Sequence, residues 1–561
     1  MEKKPLFIHS KTYYFITEAL VGLCLMGIEM SASRLISVYF SSSQVVWTLI
    51  IGVIMIAMAV GNYWGGKQAD KKPSYLRLYL ELSFAGVYII LIPFLGKYVI
   101  VGVSVLFALF ITHNLVIWAA LFSCIILFVP PLLFLGKVTP SLIKYAMGEK
   151  VSGKVIGLLE ALNTVGSILG TFLPTFLTIP FIGTSNSFVL FGGLIALVGL
   201  LYVITSFIEI YKNKPRKEEV EVTSTKDGKK EKRRFIRSIV LTCIYSATFI
   251  VGMIFSINAS FTLWEEKGTI KETESTYNYL KVYRQDNATY LSTNILFGVQ
   301  SMIKDDDSLT GMYYDYLLSS KYLVKDNPEI LILGNGTGTY ATMMKNYMNS
   351  NCHITAIEID QKIIDLSYEY FHMNPTVNVI CDDGRNFLAR TNDKYDIILV
   401  DAYTSISAPF HMTTVEFFTL VKKHLNYDGL MMMNINMNSD TPGSMSHTLC
   451  DTAISVFGNL YTIGKGTGVE VFAYNGVKDV KQELENVASV KEDYQSVIYE
   501  MTNEITGLKR YQDTGYRLYD DNADIEMRSM NALDELIVNL LGDYIKILKE
   551  QGIGGLINSL K

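Results

Sequence analysis

The first half of the chain consists of long apolar runs separated by short polar segments. A helix needs about twenty apolar residues to cross a bilayer. Seven runs have roughly that length: 14–38, 44–64, 76–96, 114–136, 156–180, 184–208 and 236–257. An eighth run at 98–111 is shorter, and a re-entrant or interfacial segment fits it equally well. The pattern predicts a multi-pass helical membrane domain over 1–258, with about seven spans and a basic linker at 209–237.

After residue 258 the apolar positions become short strands and amphipathic helices. β-rich stretches around the turn signal Asp286-Asn287 predict a small β-hairpin unit within 259–328. From Glu329 onward, strands and helices alternate. Strands are expected at 330–333, 353–360, 377–384, 395–403 and 429–435, and helices at 339–348, 361–372 and 413–425. Near-continuous apolar strands of this kind predict a parallel sheet covered on both faces over 329–540, before a C-terminal helix or tail at 541–561.

Composition and charge narrow the range of functions. The net charge of −5 gives no support to nucleic-acid binding. The six cysteines occur singly, without a CxxC or a Cys/His cluster. Neither a zinc site nor a disulfide framework is therefore predicted.

Basic residues flank the apolar runs unevenly. They cluster before the first run, after the second, between the fourth and fifth, and within 209–237. With seven crossings, all four clusters lie on one side, as the positive-inside tendency requires. That count places everything after residue 258 outside the cytoplasm, whereas the supply of a nucleotide-like cofactor favours the cytoplasm. The sequence predicts a cell-membrane protein and leaves the side of its C-terminal half open.

The strand at 330–333 leads into a turn with glycines at 334, 336 and 338, directly before a helix. A glycine-rich turn alone is weak evidence for a nucleotide site. Acids at the next three strand ends strengthen it, because ligands bind at the carboxyl ends of parallel strands. Glu358 can accept hydrogen bonds from ribose hydroxyls and Asp383 from an adenine amino group. Asp401 faces the position where chemistry would occur.

Together these motifs resemble the spermidine synthases (polyamine aminopropyltransferases), specifically their membrane-fused bacterial branch. The similar segments extend over roughly 270–526. They are "ESTYNYLKVY" (274–283), "ILILGNGTGTY", "AIEID", "DDGRNFL", "KYDIILVDAYTS" and "RLYDDNADIE" (517–526). The resemblance implies a multi-pass α-helical membrane domain plus an α/β Rossmann-like methyltransferase-type domain, preceded by the small β-hairpin unit.

The resemblance also implies an activity: transfer of the aminopropyl group of decarboxylated S-adenosylmethionine to an amine such as putrescine, without a metal. The implied catalytic residues are Asp401, Tyr313 and Tyr277. The implied cofactor-binding residues are Gly334, Gly336, Thr337, Gly338, Glu358, Asp383, Gly384 and Asn278. The implied substrate residues are Thr404, Tyr314, Asp315, Asp520 and Asp521. A carboxylate at Asp401 can orient the amine and take its proton, and in-line positioning against the sulfonium supplies much of the rate.

Several departures from the family pattern remove negative charge from the site. Thr337 stands where the family has an acid matched to the aminopropyl ammonium, and Thr404 stands where a second acid holds the acceptor. The entry Gln is replaced by Asn278. An acid at 337 would repel the carboxylate of S-adenosylmethionine itself, whereas Thr tolerates it. We therefore expect activity with simple putrescine to be weak or absent.

Three interpretations stay open on the sequence. The first is an aminopropyltransferase of polyamine metabolism. The second is a transferase that uses S-adenosylmethionine to move a methyl or aminocarboxypropyl group to a membrane-delivered acceptor. The third is a transporter with a regulatory adenosyl-binding domain. We favour the first at the level of the family, and the predicted partners are a small-molecule amine acceptor and a lipid bilayer, with a homodimer left open.

Overall fold

The computed structural model describes residues 7–40, 43–108, 110, 114–147, 152–212, 226–262, 268–294, 299–403, 408–439, 441–534, 546–547, 550–552 and 555. The chain divides into two compact units. One comprises Met1–Leu109 and Ile117–Trp264, and the other Phe110–Val116 and Glu265–Lys561.

The first unit is helical, as its apolar pattern predicts. A 3-10 turn at Phe7–His9 precedes the first helix, and a π-helical turn at Pro174–Thr178 joins the sixth and seventh. The helices are α1 (Lys11–Phe40), α2 (Gln44–Lys71), α3 (Tyr75–Ala108), α4 (Leu115–Gly136), α5 (Val138–Met147), α6 (Gly153–Leu173), α7 (Ile179–Lys212) and α8 (Lys226–Ser256).

Six helical stretches among the described residues are long and apolar enough to cross a membrane. They are Lys11–Phe40, Gln44–Lys71, Tyr75–Ala108, Leu115–Met147, Gly153–Glu209 and Ile236–Ser256. The stretch Gly153–Glu209 contains two of the predicted runs, and Gly183 interrupts it with a φ of 84°. The predicted separate segment at 98–111 is not observed, because residues up to Ala108 continue α3. Of the predicted linker, 213–225 lie outside the described residues, and α8 begins within the remainder.

Two acids inside this unit have polar partners, which offset the cost of burial in an apolar environment. Glu81 contacts Lys137 at 2.7 Å and Arg77 at 3.0 Å. The buried Glu18 accepts hydrogen bonds from the Thr139 hydroxyl at 2.5 Å and the Asn163 amide at 2.8 Å. The hydrogen bonds of Glu18 connect α1 with α5 and α6. Packing between helices therefore accounts for Glu18 and Glu81.

The second unit opens with a four-stranded antiparallel sheet in the order β1-β2-β3-β4. Its strands are β1 (Thr269–Glu274), β2 (Tyr279–Gln285), β3 (Ala288–Thr293) and β4 (Ser301–Lys304). Asp286 and Asn287 join β2 to β3 with φ values of 48° and 59°. Two consecutive positive φ values are typical of the tight hairpin turn whose twist matches the strands. The predicted β-hairpin unit is confirmed.

A second, larger sheet follows two short helices, α9 (Tyr314–Leu317) and α10 (Ser320–Leu323). Its strands and the helices between them follow the predicted alternation as far as β9. They are β5 (Glu329–Leu333), α11 (Thr339–Asn346), β6 (His353–Glu358), α12 (Gln361–Tyr370), β7 (Asn378–Cys381), α13 (Gly384–Arg390), β8 (Tyr395–Val400), α14 (Val415–His424) and β9 (Leu425–Ile435). The remaining elements are α15 (Met445–Phe457), β10 (Tyr461–Lys465), β11 (Gly468–Tyr474), α16 (Val480–Glu485), α17 (Gln495–Thr502) and β12 (Lys509–Arg510).

The order of this sheet is β12-β10-β11-β9-β8-β5-β6-β7. The five predicted strands, β5 to β9, are parallel, as expected. Strands β10 to β12 were not predicted, and β11 pairs antiparallel with both β9 and β10. The first residues of β11 consequently lie at the same edge as the carboxyl ends of β8 and β9. That edge is where ligands bind in sheets of this kind.

Candidate active site

The glycine turn is held between two strands of the sheet. The backbone N–H groups of Gly334 and Asn335 both donate to the carbonyl of Ile357, at 2.9 and 3.0 Å. Gly334 has a φ of 90°, and a Cβ there would lie 2.4 Å from the carbonyl oxygen of Asp401. Only glycine fits that conformation and that contact. The turn and the strand end that carries Asp401 therefore pack against each other directly.

Glu358 lies at the end of β6 and braces the same turn. One carboxylate oxygen accepts from the Gly336 N–H at 2.8 Å, and the other accepts from the Asp360 N–H at 3.1 Å. Burial raises the pKa of Glu358 to about 7, although these backbone donors oppose the rise. The structure thus brings Glu358 to the glycine turn, next to the position predicted for the ribose.

Thr337 is fully buried against the first sheet of this unit. Its N–H donates to the Ser301 hydroxyl at 3.4 Å, and its own hydroxyl lies 3.5 Å from that of Thr339. Its neighbour Asn335 is also buried. Neither polar atom of the Asn335 side chain has a hydrogen-bond partner among the residues the structure describes. The turn therefore carries a neutral hydroxyl at 337 and an unpaired amide at 335.

Asp383 caps helix α13, whose first residue is Gly384. Its Oδ1 accepts from the Asn386 N–H at 2.8 Å, and its Oδ2 lies 2.9 Å from Nε2 of His411. This capping explains why the strand predicted to extend to 384 ends at Cys381. The predicted role of Asp383 toward an adenine stays a prediction, with His411 as an additional contact.

Asp401 follows the end of β8 and is held from both sides. Its Oδ2 accepts from the Tyr313 hydroxyl at 2.7 Å, and its Oδ1 accepts from the Asn434 amide at 2.8 Å. Burial raises the pKa of Asp401 to about 6, and the two hydrogen bonds oppose that rise. Burial and the nearby Asp401 raise the pKa of Tyr313 well above its ordinary value. The result is a carboxylate in fixed orientation whose pKa lies near neutrality.

The other predicted tyrosines are divided between the two sides of the site. Tyr314 packs on Tyr313 with ring centroids 4.0 Å apart, and its hydroxyl donates to the carbonyl of Gln300 at 3.3 Å. Tyr277 is 42% exposed. Burial and then the charge of Asp360 raise its pKa. Tyr277 therefore lies on the glycine side, and its predicted catalytic role stays a prediction. Asn278, buried beside it, forms a tight turn with Ser275.

The carboxylates of two further predicted substrate residues, Asp315 and Asp520, have partners other than Asp401. The Asp315 carboxylate accepts from the N–H groups of Thr310 and Gly311, so it shapes its own loop. Asp520 pairs with Arg385 through both oxygens, at 2.7 and 2.6 Å, and accepts from the Thr414 hydroxyl at 2.7 Å. Asp521 is exposed. The predicted substrate roles of Asp315, Asp520 and Asp521 stay predictions. Thr404 lies outside the described residues.

Two residues near Asp401 were not predicted from the sequence. Asn434 on β9 holds Asp401, and Glu470 is its cross-strand partner on β11. Glu470 is fully buried, and neither of its carboxylate oxygens has a hydrogen-bond partner within the described part of the chain. A single acid inside the apolar run "VEVFAY" was the available signal, since such an acid is seldom buried without a purpose.

The arrangement suits proton acceptance beside a bound nucleoside. A glycine turn with an adjacent acid can hold a nucleoside, and a buried carboxylate with a raised pKa can take a proton at neutral pH. The carboxylate of Asp401 and the tyrosines near it favour a positively charged organic ligand, whereas the neutral Thr337 selects neither sign of charge.

Comparison with known proteins gives concordant results. The family model of the spermine/spermidine synthase domain matches residues 313–457. A Bifidobacterium longum protein named "Probable polyamine aminopropyl transferase" is 40% identical over 345 residues, which are 58% of this chain and 77% of that protein.

Solved structures of spermidine synthases are also similar. A probable spermidine synthase from Corynebacterium glutamicum has 19% identity and a TM-score of 0.35, with coverage of 45% of this chain and 92% of that chain. A spermidine synthase in complex with the transition-state analogue AdoDATO has 16% identity and a TM-score of 0.35, with coverage of 41% and 85%.

Proposed function

The chain belongs to the polyamine aminopropyltransferase family, and from that premise we propose that it transfers an aminopropyl group from an adenosyl sulfonium donor to an amine acceptor. The proposed donor is decarboxylated S-adenosylmethionine. The six long apolar helices support a further part of the proposal, that this transferase is integrated in a membrane.

The proposed reaction is a displacement at the carbon next to sulfur. The acceptor nitrogen forms a bond to the first carbon of the aminopropyl group while the carbon–sulfur bond breaks. The bonding pair goes to sulfur, which becomes the neutral thioether of 5′-methylthioadenosine. The attacking nitrogen must lose one proton, and we assign the acceptance of that proton to Asp401. General-base help of this kind contributes about 10²–10⁴-fold to rate.

One observation carries this proposal: the buried Asp401 carboxylate is held by Tyr313 and Asn434 directly against the glycine turn. The contact between Gly334 and the carbonyl of Asp401 fixes the nucleoside site and the proton acceptor relative to each other. A sulfonium needs little activation as a leaving group, so such positioning supports the rate.

Replacement of Asp401 by Asn tests the assignment. We expect the turnover number of the detergent-purified full chain to fall about 10³-fold with decarboxylated S-adenosylmethionine and a panel of amines. The affinity for 5′-methylthioadenosine, measured by calorimetry, should remain within about twofold, because the glycine turn is unchanged. Asp393→Asn, at an exposed position before β8, is the control. Unchanged turnover in Asp401→Asn would remove Asp401 from its role, and absence of any aminopropylated product by mass spectrometry would refute the activity.

The choice of donor is a separate question, because Thr337 lacks the negative charge expected opposite the aminopropyl ammonium. The second candidate donor, favoured by that one residue, is S-adenosylmethionine itself. Titration of the wild-type chain with both compounds distinguishes them. A neutral Thr337 predicts that affinities for the two differ by less than about tenfold, since no acid repels the carboxylate. A clear preference for the decarboxylated compound would contradict this explanation of Thr337.

A further inference from the structure

The buried carboxyl of Glu470 destabilises the folded protein unless a ligand binds it. A buried carboxyl without a hydrogen-bond partner costs about 1–3 kcal/mol or more, because its hydration is lost and not replaced. Native proteins contain few such groups, and each one calls for an explanation. Glu470 is fully buried, and within the described residues no donor reaches either of its oxygens.

The strand pairing places Glu470 next to the proposed proton acceptor. Glu470 on β11 is directly opposite Asn434 on β9, and cross-strand partners project to the same face of a sheet. Asn434 in turn donates to Asp401 at 2.8 Å. Burial, and after it the charge of Asp401, raises the pKa of Glu470 well above its ordinary value. The charge of Asp401 therefore influences the ionisation of Glu470.

Two donors beside Glu470 make their hydrogen bonds to other groups. Asn434 directs its amide group to Asp401 at 2.8 Å and to the side-chain oxygen of Asn436 at 3.1 Å. The hydroxyl of Tyr403, a residue whose pKa responds to the charge of Glu470, donates to the backbone carbonyl of Asn434. Among the described residues, the charge that acts on Glu470 is that of another acid, Asp401, which favours an external positive charge.

The position of Glu470 in the sheet indicates what kind of positively charged ligand would fit. The glycine turn follows β5, and β11 is three strands away from β5 on the far side of β8. Neighbouring strands are about 4.8 Å apart, so β11 and β8 are separated by roughly 10 Å. This distance suits a short alkyl chain with a nitrogen at each end, one at Asp401 and the other at Glu470.

We infer that Glu470 binds the second ammonium of a diamine acceptor while Asp401 receives the attacking nitrogen. This inference rests on the proposed aminopropyl transfer and makes its acceptor more specific. The carboxylate that binds the acceptor then comes from β11. It lies outside the family motifs, in which Thr404 stands where a second acid is expected. The inference therefore competes with the sequence-based expectation of weak activity toward putrescine.

Glu470→Gln tests the inference with two acceptors of equal length, 1,4-diaminobutane and n-butylamine. In the wild-type chain we expect kcat/KM for the diamine to exceed that for the monoamine by about 100-fold. In Glu470→Gln the value for the diamine should fall about 100-fold, mainly through KM, the size expected for loss of one buried charge pair. The value for n-butylamine should stay within about twofold. Glu500→Gln is the matched control, because Glu500 is half-exposed and lies 3.7 Å from Lys465.

The other outcomes contradict either the role of Glu470 or the proposed aminopropyl transfer. Equal loss with both amines, or no loss, would overturn the role of Glu470 and leave aminopropyl transfer intact. If no amine is aminopropylated, the proposed function fails, and calorimetry still tests Glu470. In the presence of 5′-methylthioadenosine, 1,4-diaminobutane should bind the wild-type chain at least about 30-fold more tightly than Glu470→Gln. Failure of the diamine to bind would overturn the inference.

A folding defect is distinguishable from a binding defect. Because Glu470 has no hydrogen-bond partner among the described residues, its replacement by Gln breaks no contact and removes the cost of burying an ionisable group in the empty site. The thermal midpoint of Glu470→Gln should equal or exceed that of the wild type. A midpoint lowered by several degrees would show that the carboxylate has a structural partner, and the inference would be wrong.

Discussion

The two sides of the site are built differently, although they meet at one edge of one sheet. On the glycine side, comprising the turn 334–338 with Glu358 and Asp383, the acids accept from backbone N–H groups of adjacent turns. On the carboxylate side, comprising Asp401, Asn434 and Glu470, the Asn434 side chain donates to Asp401, and strand pairing places Glu470 opposite Asn434. The first side is assembled by local backbone geometry, and the second requires the correct order of strands.

The difference teaches where sequence motifs are informative. Backbone-held acids recur at strand ends next to glycine turns, so their spacing along the chain is visible as a motif. A residue such as Glu470 lies about seventy positions after Asp401 and reaches it only because β11 is antiparallel to β9.

Gly334→Ala should produce the largest effect, because it disturbs both sides together. A Cβ would approach the carbonyl of Asp401 at 2.4 Å, and φ is 90°. We expect the free energy of unfolding to fall by about 3 kcal/mol or more and transfer activity to be lost. Gly466→Ala is the control, since its φ is 59° and no atom lies within 4 Å of the new Cβ; there the cost should be about 1–2 kcal/mol. Denaturant unfolding of both variants measures the difference, and equal losses would contradict the packing argument.

Glu358→Gln should weaken nucleoside binding on the glycine side and leave the carboxylate side unchanged. At pH 8 we expect the affinity for 5′-methylthioadenosine to fall about 10- to 100-fold, as for loss of one charge-assisted hydrogen bond. Since the pKa of Glu358 is raised to about 7, the wild-type affinity should also weaken as the pH falls below about 7 and the carboxylate becomes protonated. The variant should lose this pH dependence.

Calorimetric titrations from pH 6 to pH 8.5 measure both effects on nucleoside binding. Glu369→Gln on helix α12 serves as the control, because Glu369 is exposed. Unaltered pH dependence in Glu358→Gln would exclude Glu358 as its source.

The smallest effect should come from the carboxylate side, in the pH dependence of turnover. Asp401 accepts a proton only when ionised, and its pKa is raised to about 6. At saturating substrates kcat should therefore decline as the pH falls through about 6, approaching tenfold per pH unit. Tyr313→Phe removes a hydrogen bond that stabilises the carboxylate, so the midpoint should move to higher pH. A midpoint that moves to lower pH, or stays unchanged, would separate Tyr313 from the ionisation of Asp401.

The long apolar helices and the alternation from β5 to β9 could be predicted from the sequence, since both depend on local hydrophobic periodicity. The glycine turn, Glu358, Asp383 and Asp401 were also recognisable, because each directly follows a strand of the parallel series. The split of a single 57-residue helical stretch at Gly183 agrees with the predicted boundary between two runs. The number of crossings and the side of the membrane stay predictions.

Other features depended on contacts between distant segments. The antiparallel insertion of β11 between β9 and β10 has no local signal, because the pairing of a strand depends on all its competitors for a place in the sheet. The contacts of Asp315 and Asp520 were likewise not predictable, since an acid that shapes a loop and an acid that binds a ligand look alike in a sequence. Asn434 and Glu470 joined the site only through strand order. Local periodicity thus specified the elements and the nucleoside turn, whereas long-range pairing decided which side chains surround Asp401.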